Sequence, residues 1–215
     1  MPDDGTRAAQ TSLGVESRRL LAEVQARALA TVPDAVVLVE GLSDCFAVEA
    51  AARRCGRNLE NERVAVVPMA GATNLGRFLA QFGPSGSCVR VAGLCDVAEV
   101  GFFSRTLARH GMIERAHRAS MASAGFFFCA RDLEDELIRA LRPHGVEAII
   151  GQEGELASLR RLQQMPFHRG KAVDEQLHRF LGVRSRRKYR YAPLLVDALD
   201  GAELPPPLHD LLAYV

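Results

Sequence analysis

A chain of 215 residues with 48% hydrophobic content is long enough to bury a sizeable core, so it needs no disulfide or metal staple to fold. Its 27 Lys and Arg against 26 Asp and Glu leave a formal charge of +1, which excludes a global electrostatic pull on nucleic acid or membrane; a charged partner must be met by a local cluster. Five cysteines without a Cys-x-x-Cys pair, a polar start and no apolar run of roughly 18 residues argue against a disulfide scaffold, a secretory leader and a membrane span, so the expected compartment is the cytoplasm.

Residues 1–33 read as a tail followed by a helix, because apolar residues recur at helical spacing (Leu20, Leu21, Val24, Ala28) until Pro33-Asp34 breaks the pattern. Residues 35–39 are five apolar residues in a row, rich in valine, the signature of a strand covered on both faces. Ser43 is expected to cap a helix that runs through Ala47, Val48, Ala51 and Ala52 and stops at Gly56. Residues 64–68 predict a second strand. The turn at 71–74 opens a helix containing Leu75, Phe78 and Leu79, and Gly83-Pro84-Ser85-Gly86 breaks the chain before a third strand over 87–96. A helix and a polar excursion fill 99–123, and Phe126 to Cys129 make a fourth strand. Strands alternating with helices through short connections predict an α/β fold, a parallel sheet of about four strands flanked by helices. From residue 131 the pattern turns helical, with segments at 133–141, 153–164, 175–181, 189–199 and a short one after Pro205-Pro206-Pro207. The expected organisation is an α/β domain over 34–150 and a C-terminal helical extension over 151–215, either a cap on the core or a small second lobe.

Acids follow three of these strands. Glu40 and Asp44 come after the first, Asp96 and Glu99 after the third, and Asp132, Glu134, Asp135 and Glu136 after the fourth. An unpaired carboxylate at the end of a buried strand costs several kcal/mol, a cost a bound cation removes. Open parallel sheets gather ligands at the carboxyl ends of their strands, which brings Glu40 and Asp96 together. Oxygen-only donors suit Mg²⁺ or Mn²⁺, whereas the six scattered histidines form no close pair for zinc. In this setting oxygen-bound cations would position a phosphodiester. The plainer alternative is capping by Asp44 and Asp132 and a solvated first helical turn at Glu134 to Glu136. Near the carboxyl end, Arg184, Arg186, Arg187, Lys188 and Arg190 with Tyr189 and Tyr191 place five cations and two tyrosines in eight residues. Such a segment can track a phosphate backbone and stack unpaired bases, or it can pair with the acids around Glu134.

The series Val39-Glu40-Gly41-Leu42-Ser43-Asp44, then Gly71 after the second strand, then Leu94-Cys95-Asp96 after the third, resembles the TOPRIM domain of topoisomerases, bacterial primases and OLD (overcoming lysogenization defect) nucleases. Arg131-Asp132-Leu133-Glu134-Asp135-Glu136-Leu137 and the stretch from Arg186 to Ala192 resemble the OLD branch in particular, so the likeness spans roughly 34–200. The resemblance implies a Rossmann-like TOPRIM sheet and a Mg²⁺- or Mn²⁺-dependent nuclease. Glu40 and Asp44 would be metal ligands or acid/base groups, Asp96 the central ligand, Glu134 the completing acid and Lys188 the cation that steadies charge on the phosphate. The family's Asp-x-Asp after the third strand is here Asp96-Val97-Ala98. Glu99 is the nearest replacement, and the departure bears on the second metal site and so on cleavage. No Gly-x-x-x-x-Gly-Lys-Ser/Thr loop is present, so the expectation is a stand-alone TOPRIM protein without the ATPase domain that accompanies OLD nucleases. The implied partner is nucleic acid, DNA first, with Arg184, Arg186, Arg187 and Arg190 as its contacts; a separate ATPase and a homodimer are candidate assemblies. The rival reading is a non-catalytic or partner-activated TOPRIM module.

Overall fold

The computed structural model describes residues 4–182, 185–199 and 204–215. Four strands, β1 (Ala35–Val39), β2 (Val64–Pro68), β3 (Arg90–Asp96) and β4 (Phe126–Cys129), form one all-parallel sheet in the order β2-β1-β3-β4. β1 is fully buried because both of its faces are covered, as its unbroken apolar sequence requires. Val37 and Val39 point into one core and Val36 and Leu38 into the other.

The second core is closed by α3 (Leu75–Phe82), α4 (Val100–Arg109) and the short α5 (Ala119–Ser123). The first core is closed by α2 (Leu42–Arg54) and by the C-terminal helices: α6 (Leu133–Gln152), α7 (Leu156–Gln164), α8 (Val173–Gly182), α9 (Ser185–Asp197) and α10 (Pro206–Tyr214). The long α1 (Asp4–Ala28) adds Val24 to that core, and Gln25 Nε2 donates to Pro68 O at 2.6 Å.

Four expectations are revised. β3 begins at Arg90 because residues 83–89 stay in a turn, with Cys88 at φ 54°. α2 is capped by Gly41, extended at φ −146°, and Ser43 is buried within the helix. The second half of α6 was hidden by Pro143: the helix breaks at Arg142 (φ 59°, ψ 160°) and resumes through Val146, Ile149 and Ile150. α8 runs through Gly182 instead of stopping before it.

Candidate metal and phosphodiester site

β1 leads to β2 on one side of the sheet while β3 lies on the other, so the switch in strand order falls between β1 and β3. Ligands of open parallel sheets bind outside the carboxyl ends at such a point. Glu40 is the first residue beyond β1 and Asp96 is the last of β3, so the topology sets both acids there. The turn after β2 is tied to the same edge: Met69 N–H donates to Val39 O at 2.8 Å and Gly71 N–H to Glu40 O at 3.0 Å. Gly71 adopts φ 114°, a conformation side chains resist, which is why glycine stands there.

Asp44, in the first turn of α2, accepts the Gly41 N–H on Oδ2 at 3.0 Å, so it does cap the strand-to-helix turn. Its carboxyl is pushed up to about 7, first by burial and then by the Glu134 charge, with Lys188 and the Gly41 N–H opposing and Glu40 adding. Asp96 is likewise raised to about 7 by burial and then by the charges of Asp44, Asp132, Glu40 and Glu99. Glu99 is raised by burial and by Glu40, and its Oε2 is buried without a hydrogen-bond partner. Acids after β1, at the end of β3, in the turn before α4 and at the starts of α2 and α6 therefore sense one another across this edge. Ala98 is exposed in the turn before α4, so the acid on that turn that senses Glu40 is Glu99.

Glu134 is 3% exposed at the start of α6. Lys188 Nζ lies 3.1 Å from its Oε2 in an ion pair, and among the described residues no other donor reaches that oxygen. Burial acts to discharge Lys188, but Glu134, Asp44 and Asp132 together hold its ammonium above the usual range. Asp132 caps α6 by accepting the Asp135 N–H at 2.9 Å, and its Oδ2 meets His178 Nε2 at 2.6 Å. Burial opposes ionisation of Asp132, yet the His178 hydrogen bond and the Asp135 N–H outweigh it and lower its carboxyl. Glu136 accepts the Ala130 N–H and pairs with Arg139, which also pairs with Asp135, so both acids serve the helix start.

The donors fit a hard divalent cation. They are all carboxylates, two are driven toward the protonated form first by burial and then by neighbouring negative charge, and Glu99 presents a buried unpartnered oxygen. Among the described residues no group of three or more His, Cys, Asp or Glu side chains is placed to hold a metal ion as it stands. The acids are gathered at one edge rather than preassembled.

The basic segment divides. Arg187, 11% exposed in its side chain, pairs with Glu155, donates to Phe180 O at 3.1 Å and stacks over the Phe180 ring. Arg190 pairs with Glu153 and Glu155. Arg186 is 64% exposed, with Glu16 at 3.9 Å, and Arg184 lies outside the described residues. The expectation that the tyrosines stack bases is corrected: Tyr191 is fully buried in the core beside α2, and Tyr189 packs edge-on against Phe46. The sequence reading missed His178, on α8, and Glu153 and Glu155, in the short connection between α6 and α7, none of which belongs to a local motif.

Residues 33–96 match the family model described as the overcoming lysogenization defect protein-like TOPRIM domain. The fold is similar to the C-terminal region of the Xanthomonas campestris pv. campestris OLD protein, at 22% identity and TM-score 0.65 over 85% of this chain and 91% of that one. It is also similar to the C-terminal region of the Burkholderia pseudomallei OLD protein, at 19% identity and TM-score 0.62 over 86% of this chain and 97% of that one. No curated protein sequence matches the chain. With the acids at the carboxyl ends of β1 and β3, residues 33–96 carry the match to the OLD-like TOPRIM domain, and the chain shares the fold of OLD C-terminal regions.

Proposed function

We propose that this chain is the nuclease-type region of an OLD-like protein and hydrolyses phosphodiesters in nucleic acid, DNA first, with Mg²⁺ or Mn²⁺ held by the strand-end acids. The single observation behind this reading is that Glu40 and Asp96 flank the sheet's switch point and share a field with Asp44, Glu99 and Lys188-paired Glu134. Glu40, Asp44, Asp96, Glu99 and Glu134 are the residues that would hold the ion. A divalent cation there supplies activation of water and neutralisation of phosphate charge.

Within this reading the protein's own groups have separate tasks. Glu40 or Asp44 accepts the proton of the attacking water on a carboxylate oxygen. Lys188 offers an ammonium to the charge that develops on the phosphate. Arg186, exposed and only loosely paired, is the best phosphate contact of the basic segment; Arg190 contributes less because two acids hold it, and Arg187 least because it is nearly buried. A separate ATPase partner and self-association fit this reading as assemblies.

Incubation of plasmid DNA with the protein and Mg²⁺ or Mn²⁺ tests the proposal: the expected result is metal-dependent nicking or cleavage that Glu40→Gln abolishes. Exposed Ala98, where the second aspartate would stand, favours a second reading, a TOPRIM module that binds nucleic acid without cutting it. DNA binding without cleavage in either metal would select that reading.

A further inference from the structure

Glu134 combines two properties that pull against each other. It is 3% exposed, so its charge must be matched locally, and the match comes from a single ammonium 3.1 Å away, with no backbone N–H or guanidinium of the described residues on Oε2. Buried carboxylates in settled structural pairs are both charge-matched and hydrogen-bonded. Asp135 and Glu136, on the same helical turn, meet that standard through Arg139 and the Ala130 N–H. Glu134 does not. Its partner has room to move, since the Lys188 side chain is 42% exposed, with Asp44 and Asp132 as the other charges that draw on it. The neighbouring residues Arg187 and Arg190 hold this turn of α9 through Glu153 and Glu155, so release of the lysine need not move the helix.

We propose that Lys188 is the resident counter-ion of the metal-free acidic cluster and yields Glu134 to the divalent cation when one binds, so that ion loading is what frees the ammonium for a phosphate. The proposal rests on the metal-dependent reading above. It assigns an order to assembly, ion first and armed lysine second. It gives Glu134 two exclusive partners, because an oxygen facing a divalent cation is poorly placed to keep a monovalent one beside it.

The sequence supplies a direct readout. Lys171 and Lys188 are the two lysines of the chain. Lys171 sits over the Phe167 ring, with Nζ 3.9 Å from its centroid, and serves as an internal standard. The full chain, stripped with chelator, is acetylated briefly with N-hydroxysuccinimide acetate with and without saturating Mn²⁺, and the Lys188 to Lys171 ratio is read by peptide mass spectrometry. Calorimetry on the same samples reports whether Mn²⁺ binds. The expected result is a ratio that rises about threefold or more with Mn²⁺, the order of change that losing one ion pair of ordinary strength gives. In Glu134→Gln the ratio starts at the raised value and Mn²⁺ adds nothing. Glu134→Asp, whose shorter side chain draws back from Lys188, replaces it if the glutamine variant does not fold. Mn²⁺ binding with an unchanged or falling ratio would overturn the exchange while leaving the metal site standing. A Mn²⁺-driven rise that persists in Glu134→Gln would overturn it too, since the lysine would then be answering to another group. Absence of Mn²⁺ binding would overturn the metal reading and this inference together.

Discussion

Asp44 and Asp96 are carboxyls that the fold would rather keep protonated, and that has a measurable sign. Both are raised from 3.8 to about 7, so between those values the folded state holds protons that the unfolded chain has released. Metal-free stability therefore falls as pH rises from about 4 to about 7 and levels off above. Asp132 shifts the other way, but its folded value lies below 3.8, so its contribution is lost only in more acidic solution. In chelator, thermal melts at pH 5 and pH 7.5 should differ by about 1–2 kcal/mol for each raised group, or about 2–4 °C per kcal/mol in a chain of this size. Asp44→Asn should shrink that difference and raise the metal-free Tm at pH 7.5, while weakening Mn²⁺ binding. An unchanged pH profile in Asp44→Asn would show that its carboxyl is not strained. His178 makes the opposite kind of contact: its Nε2 is 2.6 Å from Asp132 Oδ2 and half-buried. His178→Ala should cost about 1.5–3 kcal/mol in urea unfolding, the range for a hydrogen bond to a charged group, and His178→Gln should recover part of it.

At the level of elements, α9 carries two kinds of cation that look alike in sequence. Arg187 and Arg186 are adjacent, yet Arg187 is bound to Glu155 and Phe180 while Arg186 faces solvent. Arg187→Ala should destabilise the fold by about 2–3 kcal/mol with little dependence on salt. Arg186→Ala should leave stability within about 0.5 kcal/mol, weaken DNA binding across sequences and flatten its salt dependence. Reversed outcomes would move the proposed phosphate contact from Arg186 to Arg187. This pair also marks where sequence reading stops. β1, β2 and β4 were legible because their side chains are apolar on both faces, and the placement of Glu40 and Asp96 at the same sheet edge followed from parallel topology alone. Glu155 lies 32 residues from Arg187, and His178 lies 46 from Asp132. Which residue meets which across such gaps is decided by how α6, α8 and α9 pack, and no periodicity within one helix carries that information. The second half of α6 was lost for a local reason, since Leu141-Arg142-Pro143 reads as an end although the chain resumes its helix after a single non-helical residue.

Across the whole molecule, the C-terminal helices and the sheet are halves of one core. Val37, Val39, Ala92 and Leu94 from the sheet share a cluster with α2 and with Leu159, Leu177, Phe180, Tyr191, Leu195 and Leu211, all 3% exposed or less. Buried aliphatic and aromatic side chains of this size each contribute about 1.5–3 kcal/mol through area removed from water. Losing the dozen or more that 156–215 supplies would remove more than the typical net stability of a domain, about 5–15 kcal/mol. It would also uncover one face of α2 and expose Glu134 to water without Lys188. A fragment ending at residue 150 should therefore be expressed as an aggregating or molten species, with strand and helix signals in far-ultraviolet circular dichroism but no fixed near-ultraviolet signal and no cooperative melt. The full chain should unfold in one transition whose calorimetric and van't Hoff enthalpies agree. A fragment that folds cooperatively, or two separated transitions in the full chain, would make 151–215 an independent lobe. Lys188 would then reach the acidic cluster across a domain boundary, and its ion pair with Glu134 would depend on how two bodies dock rather than on one continuous core.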